Sequence, residues 1–310
     1  MTTTSREAKI MMKPIVVGLD GSRQSQAAAD WGARTALRRG LPLRLVHAWQ
    51  GSTGPVGAET VPPDCTVPQY WARRVLRAAM DRLSERHPQL YISAEQIPRP
   101  PREALLAEAE SAELLVIGNE GLSSVGALFS ASVALAIVAH SPLPVVLVRA
   151  GFTAADERRR DGAGTPSADA PFRDVVAAVD LRESCDGVLA FAFDEAARRG
   201  TVLRAEHIWH PSIHTPHTSV PRAHAEAQEA GEAALTDLLR PWQEKYPTVP
   251  VRAAVVRART SHEIVHTAEG AGLLVVGRRP RHTGLGPHTG PVTHAVIHHV
   301  ACPVAVVPHD

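Results

Sequence analysis

The sequence is poor in several features that mark specialised classes of protein. Its three cysteines, Cys65, Cys185 and Cys302, lie far apart and form no CxxC motif, which disfavours a disulfide framework, a zinc knuckle and redox chemistry. Aromatic residues make up only 4% of the chain, and no apolar stretch approaches the length of a membrane span. The formal net charge is only +1 and no basic stripe is present, so neither nucleic acid nor a membrane is expected as a partner. Because the N-terminal stretch MTTTSREAKIMMK lacks the apolar core of a secretory signal, we expect a cytoplasmic protein.

An internal repeat organises the chain. Residues 14–49 align with residues 174–209, so that Asp20 matches Asp180, 160 positions further on. LLVIG at 114–118 matches LLVVG at 273–277, and PVVLV at 144–148 matches PVAVV at 303–307, both 159 positions apart. The order of the matching segments is the same in both halves. The sequence is therefore a tandem duplication, and its 310 residues suit two domains.

Each copy alternates short apolar runs with helical segments. Runs such as IVVGL and LLVIG are typical of strands buried on both faces, and Ala27–Arg39 and Ser132–Ala139 are two of the predicted helices. This alternation predicts an α/β fold of two tandem Rossmann-like domains, each a doubly wound, five-stranded parallel sheet covered by helices. The predicted domains are residues 11–150 and 171–310. Residues 151–170 are polar and rich in Gly, Ala and Asp, which predicts an exposed linker.

The segment IGNEGLSSVGALFSASV, residues 117–133, follows a predicted strand and has the features of an anion site. Gly118 would let the backbone approach a sugar, and Gly121 would allow a tight turn. Residues 130–132 are predicted to begin a helix, whose free amide groups favour an anion. Glu120 opposes a dense phosphate charge. The alternative interpretation is that the glycines and serines only build a turn between a strand and a helix.

Four motifs together resemble the universal stress protein family: VVGLDGS, LVHAW, G-x2-G-x9-(A)-S and HSPLPVVLVR, with counterparts in the second half. The resemblance implies a domain that binds ATP, ADP or AMP, with Mg²⁺ as an accompanying ion of ATP. The family's nucleotide-binding motif, G-x2-G-x9-G-(S/T), aligns with Gly118, Gly121, Ala131 and Ser132 of this chain. The implied nucleotide-binding residues are Asp20, Ala48, Gly118, Gly121, Ala131, Ser132 and Val133.

Both halves depart from that motif. In the first half the third glycine is Ala131, which would be strained if the position required a positive φ. In the second half Gly277 persists, but Pro280 and Gly290-Pro291 replace the rest of the motif, so binding is expected mainly in the first half. Arg278, Arg279 and Arg281 are predicted to form a solvated loop, with a phosphate clamp as the alternative. The resemblance implies that Asp20 accepts ribose hydroxyl groups; its alternative role is to cap the following turn, and the segment Asp20-Gly21-Ser22 could serve both.

Three functions agree with these observations. The first is a nucleotide-responsive module that acts on an unidentified protein partner, and the second is a nucleotide-free interaction module. The third, a weak ATPase, is disfavoured because GxxxxGK[ST] is missing, so no catalytic residue is predicted. The histidines, among them His294 and His298 at i, i+4, are interpreted as surface residues and not as a metal site. The family resemblance also implies that the two halves pair through their last strands as a pseudo-dimer, with a homodimer as the alternative.

Overall fold

A computed structural model describes residues 12–49, 68–120, 127–160, 170–210, 220–279 and 290–309 of the chain. The contacts divide the chain into two compact units, with the boundary between Gly151 and Phe152. Each unit has parallel strands that alternate with helices, which confirms the predicted fold class. None of the helices in the described ranges is both long enough and apolar enough to cross a bilayer.

The first unit has the strand order β3-β2-β1-β4-β5, and its described strand pairs are parallel. Its order therefore reverses between β1 and β4, and the carboxyl ends of these two strands flank a crevice. The elements are β1 (Ile15–Gly18), α1 (Arg23–Arg39), β2 (Leu43–Ala48), α2 (Pro68–Arg86), β3 (Ile92–Ile97), α3 (Pro101–Ala109), β4 (Leu114–Asn119), α4 (Ala127–His140) and β5 (Val145–Arg149).

The second unit repeats this topology with the order β8-β7-β6-β9-β10, so its crevice lies between β6 and β9. The elements are β6 (Val175–Ala178), α5 (Asp186–Arg199), β7 (Leu203–Trp209), α6 (Val220–Lys245), β8 (Val251–Arg257), α7 (Thr260–Thr267), β9 (Leu273–Arg278), α8 (Pro291–His299) and β10 (Val304–Pro308).

Burial of the central strands and capping of the helices explain why these elements form. Val16 and Leu115, on neighbouring strands of the first sheet, are completely buried, as the apolar runs predict for strands covered on both faces. Helix α1 begins after Ser22, whose Oγ accepts a hydrogen bond from Ser25 N at 3.2 Å. It ends at Gly40, where φ is 68°, a conformation that favours glycine.

Two helices begin earlier than the sequence predicts. Helix α1 begins at Arg23 and not at Ala27, because the Ser22 cap admits one more turn. Helix α4 begins at Ala127 and not at Ser132, since the segment ALFSA has no residue that breaks a helix. In both cases the sequence-based prediction assigned the first residues of the helix to the polar turn that precedes it.

The described part of the predicted linker after Gly151 belongs to the second unit. Glu157 is 1% exposed and lies 3.8 Å from Arg199, which also pairs with Glu195 at 3.0 Å. Arg158 forms an antiparallel bridge with Phe172, and its guanidinium carbon lies 3.6 Å from the centre of that ring. The predicted exposure therefore fails at Glu157, whereas Thr153, Ala154, Arg159 and Arg160 are exposed. Residues 161–169 lie outside the described ranges. The composition predicted an exposed segment because most of these residues are polar. One buried carboxylate, that of Glu157, nevertheless attaches the segment to the second unit.

Candidate functional site

A cavity of about 230 Å³ lies at the carboxyl ends of β1, β2 and β4 in the first unit. Four of the residues named from the sequence, Asp20, Ala48, Gly118 and Val133, line it. Gly121 lies outside the described residues, and Ala131 and Ser132 are described only as parts of helix α4. Apolar side chains that the sequence did not single out form much of the remaining wall: Leu19, Val46, Leu105, Ile117, Ala134 and Ile137.

Asp20 caps the turn after β1 and also faces the cavity. Its Oδ1 accepts hydrogen bonds from Ser22 N at 2.9 Å and from Ser22 Oγ at 2.5 Å. No described residue donates a hydrogen bond to Oδ2, so this oxygen can accept one from a ligand hydroxyl. The two roles proposed for Asp20 are therefore compatible, one for each carboxylate oxygen.

Gly118 is required by the packing of helix α1 against the end of β4. A Cβ atom at this position would lie 2.6 Å from the backbone of Gln24 and of Ser25. The atoms that crowd this position are those of a helix N-terminus, and the approach of a sugar to the Gly118 backbone remains a prediction. Gly118 still lines the cavity, since the close contact of β4 with α1 forms part of its floor.

The backbone of helix α4 differs from the predicted anion site. Ala131 and Ser132 lie in the second turn of the helix, where backbone amides donate to carbonyl groups four residues earlier. A helical residue has a negative φ, so the strain expected at Ala131 does not arise. The amides that have no partner within this helix belong instead to its first turn, from Ala127 onward.

The acidic residue of the segment, Glu120, lies beside helix α1. Gln24 Nε2 donates a hydrogen bond to Glu120 Oε1 at 2.5 Å, across 96 positions of sequence. Asp20 is the only charged side chain among the described residues that line the cavity. Residues 121–132, GLSSVGALFSAS, contain no charged residue either. The first cavity thus has an acidic rim and an apolar wall.

The corresponding cavity of the second unit has about 370 Å³ and a different electrostatic character. Asp180 Oδ1 accepts from Arg182 Nε at 3.0 Å, and Asp180 Oδ2 accepts from Arg279 Nη2 at 3.0 Å. Burial by itself would raise the pKa of Asp180, but the hydrogen bonds and charge of Arg182, together with the charge of Arg279, hold that pKa below its usual value. Arg278 also lines the cavity and is only 7% exposed. The prediction of a solvated arginine loop is wrong for Arg278, which is buried at the end of β9. Arg279 is exposed, and Arg281 lies outside the described residues.

The sequence contained a signal for these arginines that the motif comparison did not use. With the offset of the fourth strands, Asn119 and Glu120 of the first copy align with Arg278 and Arg279 of the second. Two successive positions at the mouth of the same crevice therefore changed from neutral and acidic to basic. A motif search restricted to glycines could not detect that change.

The described histidines form no metal centre. His294 and His298 lie on helix α8 with ring centroids 4.3 Å apart, and His207 Nδ1 lies 2.9 Å from the backbone oxygen of Val179. Within the described ranges, no group of three or more His, Cys, Asp or Glu side chains is arranged to hold a metal ion. His214 and His217 are outside those ranges.

Comparisons with known proteins identify related sequences along the whole chain. The model of the universal stress protein family matches residues 11–149 and 171–308. A universal stress protein of Mycobacterium tuberculosis (strain ATCC 25618 / H37Rv) is 30% identical over 304 residues, which cover 94% of this chain and 96% of the relative. One from Mycolicibacterium smegmatis is 29% identical over 303 residues, with the same coverage.

A solved structure shows a similar fold along most of the chain. The crystal structure of a universal stress protein from Archaeoglobus fulgidus covers 96% of each chain with a TM-score of 0.56 and 17% sequence identity. A universal stress protein crystallised in complex with cAMP is 26% identical; it covers 46% of this chain and 99% of its own, with a TM-score of 0.36.

Proposed function

Because this chain belongs to the universal stress protein family, whose model matches both halves, we propose that it is a stress-response binding module whose first domain holds an adenine nucleotide. The observation that carries this proposal is the cavity at the end of β1, β2 and β4, where an apolar wall meets the carboxylate of Asp20. Sheets of this topology bind ligands where the strand order reverses, and this cavity lies there.

The lining suits the nucleoside part of such a ligand. A purine ring is largely apolar on its faces, and Leu105, Ile117 and Ile137 offer apolar contact on the walls. Ala48, at the end of β2, leaves room beside the ring because its side chain is a single methyl group. The Oδ2 atom of Asp20 is the acceptor for a ribose hydroxyl.

The charge of the lining limits the number of phosphates. Its only described charged group is a carboxylate, and residues 121–132 add no cation. Each further phosphate increases the repulsion from Asp20 and from the nearby Glu120. We therefore expect AMP to bind more tightly than ATP in the absence of metal. Mg²⁺ would accompany the phosphates of ATP, as it usually does, and would not be held by a dedicated protein cage.

We propose that the protein acts by binding and not by catalysis. Phosphoryl transfer depends on cations and metal placed around the transferred group, and the first cavity has no guanidinium or ammonium group among its described lining residues. The bound nucleotide would instead bias the surface that a cytoplasmic protein partner recognises. A sensitive assay of ATP hydrolysis tests this part, because turnover abolished by Asp20→Asn would make the weak-ATPase alternative the better one.

Calorimetry on the full chain tests the nucleotide site, and the duplication supplies matched variants. Ala48 aligns with Ile208, so Ala48→Ile places the side chain of the second copy in the first cavity, and Ile208→Ala is its reciprocal control. We expect AMP to bind the wild type and Ile208→Ala and to lose at least tenfold in affinity for Ala48→Ile. If AMP, cAMP and ATP all fail to bind the wild type, or if AMP binds Ala48→Ile as well as the wild type, a nucleotide at this site is excluded.

A further inference from the structure

The charged groups of the second cavity distinguish it from the first. Its described lining contains three guanidinium groups, those of Arg182, Arg278 and Arg279, and two carboxylates, those of Asp180 and Glu206. The first cavity has one carboxylate and no guanidinium group among its described lining residues. The same crevice has therefore acquired positive charge in the second copy.

Arg278 is the least exposed of these cations. It ends strand β9 beside Gly277, and 7% of its surface is exposed. Burial lowers the pKa of the Arg278 guanidinium below its ordinary value, because desolvation makes its charged form more costly. An anion entering the cavity would offset part of that cost, because a charge in a partly dehydrated site gains more from a counter-charge than one in water.

Arg279 bridges two acidic residues that lie at the cavity mouth. Its Nη2 atom lies 3.0 Å from Asp180 Oδ2, and its Nε atom contacts a carboxylate oxygen of Glu183. The side chain of Arg279 is 48% exposed, so these ion pairs are open to exchange with solutes. Arg182, the other cation on Asp180, is 83% exposed. An anionic ligand can therefore replace Asp180 as the partner of these two arginines.

The second carboxylate of the lining is engaged by other donors. Glu206 Oε1 accepts from Arg204 at 2.6 Å, and its Oε2 accepts from Thr267 Oγ1 at 2.8 Å. Glu206 is 6% exposed. Because both of its oxygens have donors, a ligand could enter the cavity without displacing Glu206.

The wall that would face a nucleobase has changed as well. At the end of β7, Glu206 aligns with Val46 and Ile208 aligns with Ala48, and both residues of each pair line their cavities. A methyl group has thus become a branched side chain, and an apolar side chain has become a carboxylate. These two changes disfavour an adenine ring where the first cavity favours one.

We propose that the second cavity is a site for a small oxyanion, a phosphate or carboxylate group without an adenine ring, which Arg278 and Arg279 bind. This inference does not depend on the nucleotide proposed for the first domain. Entry of the anion exchanges one partner of Arg279, the carboxylate of Asp180, for the ligand. The apolar wall formed by Val188, Ile264 and Val276 would hold the rest of a larger ligand.

Calorimetric titration of the full chain with inorganic phosphate, and separately with succinate, tests the site. We expect at least one of the two to bind, and the tighter one identifies the chemical class. Arg278→Asn and Arg279→Glu insert the residues of the first copy. Arg278→Asn is expected to weaken binding about tenfold, the effect of losing one hydrogen bond to a charged group. Arg279→Glu should weaken it more, because it also places a negative charge beside the anion. Asp180→Asn keeps the shape of the side chain but releases its hold on Arg182 and Arg279, so it should tighten binding severalfold.

Two controls separate the result from loss of fold and from the first domain. Circular dichroism and a urea titration show whether each variant remains folded, and Asp180→Asn gains affinity, which an unfolded variant cannot do. Ala48→Ile must leave phosphate or succinate binding unchanged, even where it removes AMP. The proposal is overturned if neither anion binds the wild type. It is equally overturned if the folded Arg278→Asn and Arg279→Glu variants bind as the wild type does, or if Asp180→Asn fails to tighten binding.

Discussion

Arg279 lies 3.0 Å from Asp180 in the second domain, whereas the aligned residue of the first domain, Glu120, accepts a hydrogen bond from Gln24. One position in the crevice therefore has opposite charge in the two copies. In the first domain it adds to the negative charge of Asp20, and in the second it neutralises the aspartate. This contrast leads to a direct test of how charge sets the preference for phosphates.

Reversing the charge at residue 120 should change the nucleotide preference of the first domain. In Glu120→Arg, repulsion from the carboxylate is replaced by attraction, so the affinity for ATP should rise about tenfold relative to that for AMP. Calorimetry with both nucleotides measures the ratio. Glu120→Gln is the matched control, because it removes the negative charge without adding a cation and should have a smaller effect. An unchanged ratio in Glu120→Arg would show that the phosphates lie away from Glu120.

The two strand-end glycines should differ in their tolerance of alanine. Gly118→Ala sets a methyl group 2.6 Å from the backbone of Gln24 and Ser25, which cannot shift without moving helix α1. At Gly277 the nearest atoms belong to the His309 imidazole, a side chain that can rotate away. Urea unfolding should therefore show a loss of about 2 kcal/mol or more for Gly118→Ala and clearly less for Gly277→Ala. A fully stable Gly118→Ala that no longer binds AMP would favour the earlier interpretation, in which this glycine contacts the ligand.

Glu157 should stabilise the second domain although the composition of its segment is that of a linker. Glu157→Ala removes one of the two carboxylates beside Arg199, whose side chain is fully buried, and should cost about 3 kcal/mol. Arg160→Ala changes an exposed residue of the same segment and should stay within about 0.5 kcal/mol of the wild type. Chemical denaturation followed by circular dichroism measures both. Equal free energies of unfolding for the two variants would mean that the contact of Glu157 with Arg199 does not stabilise the domain.

The stability of the protein should fall as the pH drops because of His47. Burial lowers the pKa of His47, and this effect exceeds the opposing effects of Asp20 and of the backbone of Leu19. The unfolded chain therefore binds a proton at a higher pH than the folded chain does. The contribution of His47 is complete above the ordinary histidine pKa, about 6.5, and is lost as the pH falls toward the lower pKa of the folded state.

Urea titrations at a series of pH values between about 8 and 5 test the role of His47. His47→Gln should flatten the decrease in the free energy of unfolding over this range. At the upper end of the range the imidazole is neutral in both states, so the difference between variant and wild type there reports packing alone. A pH profile of His47→Gln parallel to that of the wild type would assign the decrease to other groups, such as His87, whose pKa is also lowered by burial.

The sequence was sufficient to predict the topology of each half, because buried parallel strands leave continuous apolar runs that survive duplication. Val16 and Leu115 belong to such runs, and burial selects only for their bulk and apolarity. The site was predicted less completely. Asp20, Ala48, Gly118 and Val133, which the family resemblance implies as nucleotide-binding residues, line one cavity. The walls from α3 and α4 depend on how the helices pack.

The errors at Glu157 and Arg278 share one physical cause, which is that the identity of a polar residue carries little information about its surroundings. Glu157 and Arg278 were expected at the surface because charged side chains usually are, yet both are more than nine-tenths buried. Burial of a charge requires partners brought together by the fold, such as Arg199 for Glu157, which lies more than forty positions away in the sequence. The composition of the segment around a charged residue therefore cannot predict such a distant partner. The pairing of the two halves through their last strands remains a prediction.

The attachment of residues 152–160 to the second domain has a practical consequence for dividing the chain. A fragment that begins at residue 171, as the composition suggests, would lack Glu157 and expose the charged side of Arg199 together with the face of Phe172 that Arg158 covers. A fragment that begins at residue 152 would keep residues 152–160, so Arg199 and Phe172 would stay covered. The domain boundary therefore lies immediately after Gly151, at the end of the first domain and not midway between the repeats.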